Sequence, residues 1–298
     1  MSLNTEEKEG SRLILVTGAT GNIGRPLIDV VVGEGTEVRA VTRNPQVAGL
    51  PTEVEVVEGD PSRRDTIAPF LEGVTALFLH PRAVGLATGE LLALAREQGV
   101  KRVVVLPAIN VDDDLAEQPS RYNGDKNKEV EDAAVGSGLE WVSLRASSFA
   151  TNTLLTWGAQ IRAGDVVRGP YATFAEAPIH ERDLAGVGAR ALLTDELVGR
   201  KLELTGPQSL THEEMVAIIG DVIGRPLRYE EIPPEVVKQG MVQRGFREPF
   251  LEALMARYAR GVGQPAPVTG EVEKILGRPA RTYAQWVADH ADAFLAAA

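Results

Sequence analysis

The chain has 298 residues, 44% hydrophobic and 24% charged, enough apolar material for one large or two modest domains and too much for a disordered chain. Its 31 basic and 42 acidic residues leave a formal charge of −11, which argues against a nucleic-acid partner and gives no reason to expect binding to an anionic membrane surface. The absence of cysteine excludes disulfides, thiolate metal ligands and a cysteine nucleophile.

The four histidines, His80, His180, His212 and His290, lie far apart with no paired-ligand spacing, so no metal site is expected. The opening stretch Met1–Arg12 is polar and lacks an apolar segment, so it does not read as a signal peptide. No apolar run approaches the ~18 residues of a membrane helix. A soluble cytoplasmic protein is expected.

Along the chain, short apolar runs alternate with helical patterns up to about residue 145. The expected strands are Leu13–Thr17, Glu37–Thr42, Val54–Glu58, Thr75–Leu79, Arg102–Leu106 and Glu140–Leu144. Several are continuously apolar, as strands buried on both faces of a parallel sheet are. Helices are expected at Ile23–Val32, Arg63–Leu71, Gly85–Gln98 and Asp125–Val135. This alternation predicts an α/β, Rossmann-like, doubly wound and mostly parallel sheet over residues 11–150. Residues 151–298 read as a smaller, mostly helical part, interleaved with the sheet domain through a last strand near 201–204. Its helices are expected at Asn152–Arg162, Glu181–Leu193, from the capping box at Thr211–Glu214, and at Pro234–Gln243, Glu248–Arg260 and Tyr283–Ala297. His212 reads there as a first-turn surface residue.

The strongest local signal is Val16-Thr17-Gly18-Ala19-Thr20-Gly21-Asn22-Ile23-Gly24, which follows the first strand and opens the first helix. A helix N-terminus offers free N–H groups and partial positive charge, a site for a diphosphate. Gly18 and Gly21 keep side chains out of the way, and Gly24 lets the helix pack close against the strand. Thr20, Asn22 and Ile23 complete the loop as cofactor-binding candidates. NAD-preferring sites tend to place an acid at the end of the second strand. Here Thr42 and Arg43 stand there, and a guanidinium suits a ribose 2′-phosphate. NADP(H) is therefore the expected cofactor, with NAD(H) the alternative; a solvated Arg43 is the bland reading.

Further along, Glu58-Gly59-Asp60 ends the third strand, and Gly138 to Ser148 reads G-L-E-W-V-S-L-R-A-S-S, followed by Phe149 and Asn152. Later come Leu204-Thr205-Gly206-Pro207, Gly224-Arg225-Pro226, and Gly277-Arg278-Pro279 before Tyr283-Ala284-Gln285-Trp286. With the T-G-A-T-G-x-x-G loop, these segments resemble the NmrA-like group of atypical short-chain dehydrogenases. That group holds quinone reductases, sugar-nucleotide epimerase-like proteins and redox-sensing regulators. The resemblance implies that Asp60 and Pro61 flank the adenine, and that Leu79, His80 and Pro81 face the nicotinamide ribose. His80 is equally readable as a capped loop histidine.

Short-chain dehydrogenases use a tyrosine, a lysine four residues later, and a serine at the end of the fifth strand. Tyr122 and Lys126 have that spacing, and on a helix they would share a face. The fifth strand, however, ends Leu106-Pro107-Ala108-Ile109-Asn110 without the serine, and Gly124 interrupts the helix. Hydride transfer to a quinone needs no such set, because the protein has only to orient the acceptor. Phe149 and Asn152 are the residues expected to line that pocket. The expected function is NADPH-dependent hydride transfer to a quinone or small carbonyl acceptor; a non-catalytic NADP(H) sensor and a sugar-nucleotide epimerase are the alternatives.

Overall fold

The computed structural model describes residues 12–295. Most of the opening polar stretch lies outside them, as do the last residues of the helix expected over Tyr283–Ala297, which within them ends at Asp289 and gives way to a 3-10 turn over Ala291–Phe294. The strands are β1 (Leu13–Val16), β2 (Glu37–Thr42), β3 (Glu55–Glu58), β4 (Val74–Leu79), β5 (Arg102–Val105), β6 (Glu140–Ala146), β7 (Val166–Gly169), β8 (Ala175–Glu176), β9 (Lys201–Leu204), β10 (Leu210–Thr211) and β11 (Arg228–Glu231). Seven of them form one parallel sheet in the order β3-β2-β1-β4-β5-β6-β9, the expected doubly wound arrangement. Strand order reverses between β1 and β4, and ligands of such sheets bind in the crevice outside the strand C-termini at that point.

Successive side chains of the central strands enter two different cores. Ile14, Val16, Phe78 and Val104 pack on one face with α1 (Gly24–Gly33). Leu15, Leu77, Leu79, Val103 and Val105 pack on the other, under helices that follow β4 and β5. That two-sided burial is why these strands read as unbroken apolar runs.

The helix expected at Arg63–Leu71 is cut short. It forms α2 (Arg64–Ile67) and then a 3-10 turn from Ala68 to Phe70, because Pro69 lacks the amide that would continue it. The next region forms α3 (Pro81–Val84), a bend at Gly85 with φ +55°, and α4 (Thr88–Glu97). After α5 (Asn127–Val135), Trp157 divides the following helix into α6 (Asn152–Thr156) and α7 (Gly158–Ala163). Helix α8 (Glu181–Leu193) returns to the sheet and packs beside α1, and β9 completes it.

The remaining helices are α9 (His212–Ile223), α10 (Pro234–Gln243), α11 (Glu248–Gly261), α12 (Glu271–Leu276) and α13 (Tyr283–Asp289). This part is less purely helical than expected, since β7 pairs with β11 and β8 with β10. Its core holds Trp157, Met215, Ile219, Trp286 and Phe294. Among the described residues no helix is long and apolar enough to cross a membrane.

Candidate functional site

The loop from Thr17 to Gly24 turns sharply out of β1. Gly18 takes φ +65°, a left-handed conformation that side chains disfavour. The Gly21 N–H donates to the Gly18 carbonyl at 3.0 Å. A Cβ on Gly24 would stand 2.2 Å from that same carbonyl oxygen and 2.8 Å from Ala19 Cα. The third glycine is thus demanded by the loop's own backbone, where strand packing was expected. Helix α1 then begins with no side-chain cap and no acid in its first turn. Its orphan amides and dipole are left to an anion. Thr20, Gly21 and Asn22 are exposed, and Ile23 is buried beneath them.

Two side chains hold the loop. The Thr17 hydroxyl donates to the Phe78 carbonyl (3.1 Å) and accepts from the His80 N–H (3.0 Å). Arg25 donates to the carbonyls of Thr20 (3.1 Å), Gly49 (2.8 Å) and Ala48 (2.6 Å). Its place one residue after Gly24 gives no sequence signal of this role.

At the other end of the crevice, the Gly59 N–H donates to the Thr42 carbonyl at 3.0 Å, so β2 and β3 finish side by side. Thr42 Oγ1 accepts the Asn44 N–H at 3.2 Å. Arg43 is exposed and forms no salt bridge among the described residues. Hydrogen bonds from Ser62, assisted by Arg43 and Arg63, hold the Asp60 carboxyl below the usual carboxylate range. Pro61 is buried beside it. Arg63 is a second cation here that the sequence reading did not single out.

Leu79 and Pro81 are buried at the end of β4. His80 caps α3, its Nδ1 accepting the Arg82 N–H at 3.3 Å. Burial pushes its imidazole below the ordinary histidine value, against the pull of Asp125. Arg82 binds Asp125 through two parallel contacts of 2.8 and 2.9 Å. Asp125 belongs to the Tyr122–Lys126 turn, which is thereby tied to the end of β4.

Tyr122 and Lys126 do not share a helical face. Tyr122 lies in a 3-10 turn, Gly124 has φ +99°, and Lys126 is the cap residue before α5, which starts two residues later than expected. The Tyr122 hydroxyl donates to the Ala116 carbonyl at 3.2 Å. Both side chains line a cavity of about 410 Å³, together with Arg121 and Arg247.

The segment after β6 crosses the mouth of the site. Asn22 Nδ2 donates to Thr151 Oγ1 at 3.4 Å, which links it to the glycine loop. Phe149 is half-buried and its backbone bridges to Ile179. Asn152 is exposed at the start of α6. Ser147 Oγ donates to the Ala177 carbonyl at 2.6 Å, while the Ser148 hydroxyl is buried near the Glu176 carboxyl. Burial pushes the Glu176 carboxyl up, against Arg257 and Ser148. Its only sequence signal is an acid standing alone in Phe174-Ala175-Glu176-Ala177-Pro178.

Some residues in the quoted motifs hold structure. Arg145 pairs with the fully buried Glu131 at 2.7 and 2.8 Å, and Ser143 donates to the same carboxylate at 2.5 Å. Asp183, 1% exposed, takes Arg278 (2.7 Å), the Arg281 side chain, and the Arg281 N–H at 2.6 Å. His212 is not a surface residue. At 4% exposure it packs among Trp157, Phe174 and Tyr258, because Thr211 takes the cap and turns the next side chain inward.

A model of the NmrA-like family matches residues 10–274. The (4-alkanoyl-5-oxo-2,5-dihydrofuran-3-yl)methyl phosphate reductase of Streptomyces griseus is 34% identical, over 95% of this chain and 99% of its own length. The NAD(P)H azoreductase of Xenophilus azovorans is 31% identical, over 96% of this chain and 100% of its own. Among solved structures, the NADPH-dependent quinone oxidoreductase of Escherichia coli complexed with NADPH matches with a TM-score of 0.78 at 21% identity, covering 93% of this chain and 99% of that one. The chain belongs to the NmrA-like family.

Proposed function

We propose that the protein is an NADPH-dependent reductase of a small quinone-like or conjugated carbonyl acceptor. The observation that carries this reading is the uncapped, acid-free start of α1 behind Gly18 and Gly21, at the point where strand order reverses. The loop amides suit a diphosphate, and the unpaired Arg43 guanidinium suits a 2′-phosphate. The relatives support it: one is a reductase of a furanone phosphate, one reduces azo compounds with NAD(P)H, and both match nearly the whole chain.

When bound, the dihydronicotinamide supplies the hydride. The chain's own work is positioning. Leu79, His80 and Pro81 form the wall at the end of β4. Phe149 and Asn152, on the segment tied to the glycine loop through Thr151, orient the acceptor and narrow the access of water. Quinone oxygens take protons from solvent, so no serine at the end of β5 is required.

The test is NADPH oxidation over a panel of quinones, azo dyes, enones and sugar nucleotides, with calorimetry of NADPH and NADH alongside. Turnover with NADPH ahead of NADH is expected. Tight NADPH binding without turnover on any acceptor would favour the sensor reading. No binding of either nucleotide at millimolar concentration would end both.

A further inference from the structure

We infer that the cleft between the Tyr122–Lys126 turn and the start of α11 receives an anionic group of the acceptor, a phosphate, sulfonate or carboxylate, held by Lys126 and Arg247. This deepens the reductase reading and rests on it for the word acceptor.

In a chain with a formal charge of −11, three cations converge on one cavity of about 410 Å³: Arg121, Lys126 and Arg247. Three acids of the flanking segments are already engaged. Glu129 takes Arg121 through contacts of 2.9 and 2.5 Å. Asp125 takes Arg82, and Glu117 takes Arg260 at 3.2 Å. Lys126 acts on Glu129 only through its charge, and neither Lys126 nor Arg247 forms a salt bridge among the described residues. Arg247 Nη1 donates to the Tyr122 carbonyl at 2.8 Å. That contact fixes the guanidinium at the cleft and leaves its other donors for a ligand, and a guanidinium fork matches the oxygens of a phosphate or carboxylate.

The volume suits a small ring bearing one such group. Leu115 and Ala116 give the cleft an apolar wall. The Arg82–Asp125 pair fastens this turn to the end of β4, where His80 rests against Gly18, and so ties the cleft to the wall of the cofactor crevice.

The experiment compares kcat/KM for naphthoquinone and for naphthoquinone sulfonate, with NADPH, in the unmodified protein and in Arg247→Met, Arg247→Lys and Lys126→Met. The ratio of sulfonated to neutral acceptor should fall by about ten- to a hundredfold in Arg247→Met, the loss of a charge-assisted contact, and recover in part in Arg247→Lys. An unchanged ratio in both methionine variants overturns the inference. If neither quinone is reduced, the reductase reading is decided by the wider acceptor panel, and the cleft is judged separately by calorimetry of naphthalene sulfonate with NADPH-saturated protein. Binding that weakens in Arg247→Met supports the site. No binding to the unmodified protein, equal affinity in the variant, or displacement of NADPH overturns it.

Discussion

Gly18 and His80 stand against each other across the mouth of the crevice: a Cβ built on Gly18 would lie 3.1 Å from the His80 Cβ. The glycine is needed twice, for that contact and for its φ of +65°. Gly18→Ala must therefore move either the loop or the end of β4. NADPH affinity is expected to fall at least about tenfold, and stability by ~1–2 kcal/mol from the left-handed backbone alone. Gly33→Ala is the comparison, because nothing lies within 4 Å of its Cβ and its backbone is helical. There an unchanged NADPH affinity is expected, with a stability gain of ~0.4–1 kcal/mol. Calorimetry and thermal melts of the two variants read both effects.

Arg43 and Asp60 carry opposite charges at the end of the crevice where the two dinucleotides differ. Asp60 is held ionised by Ser62 first, and by Arg43 and Arg63 after it. Arg43→Asp therefore places a second carboxylate beside an existing one and removes a cation suited to a 2′-phosphate. NADPH should bind at least about tenfold more weakly, NADH should change little, and the salt dependence of NADPH binding should become shallower. Tighter binding of NADH than of NADPH by the unmodified protein would sink the assignment.

The sheet was legible because its central strands are buried on both faces and its glycine loop links the first of them to the first helix. β2 and β9 lie where the residue pattern puts them, and the other sheet strands differ by one or two residues at their ends. What failed to show in the sequence depends on partners far away along the chain. Asp183 stands in the first turn of α8, where an acid already complements the helix dipole, yet it is the anchor for Arg278 and Arg281, 95 and 98 residues later. His212 reads as exposed because a capping box normally opens on a surface, yet distant residues on both sides of it in the chain bury it, Trp157 and Phe174 before it and Tyr229 and Tyr258 after it. The tyrosine–lysine spacing misled in the opposite direction. It assumes a helix that Gly124 interrupts with φ +99°.

Tyr122 illustrates how that difference bears on chemistry. Its hydroxyl donates to the Ala116 carbonyl, so its proton is already engaged. General acid catalysis contributes roughly a hundredfold or more where it operates. If solvent protonates the reduced acceptor, kcat of Tyr122→Phe with a quinone should stay within about threefold, far short of that loss. A hundredfold fall in kcat with KM unchanged would instead make Tyr122 the proton donor.

His212 gives the fold a dependence on pH that arises outside the cofactor site. Burial lowers its imidazole from 6.5 to about 4, outweighing the carbonyls of Pro170 and Tyr171 and the charge of Glu231. The folded protein therefore binds fewer protons than the unfolded chain between those two values. Its stabilising contribution is complete above pH 6.5 and is lost as pH falls towards about 4. The limit is ~1.4 kcal/mol per pH unit, or ~3 kcal/mol across the window. Glu176 acts with the opposite sign, since burial raises its carboxyl, so the slope of the unmodified protein alone is a mixture. His212→Phe keeps the aromatic packing against Trp157 and Tyr258 and removes the titrating group. Urea unfolding of both proteins from pH 6.5 down to about 4 should show the variant losing less stability on acidification. Parallel curves would mean that the buried imidazole is not what acid attacks first.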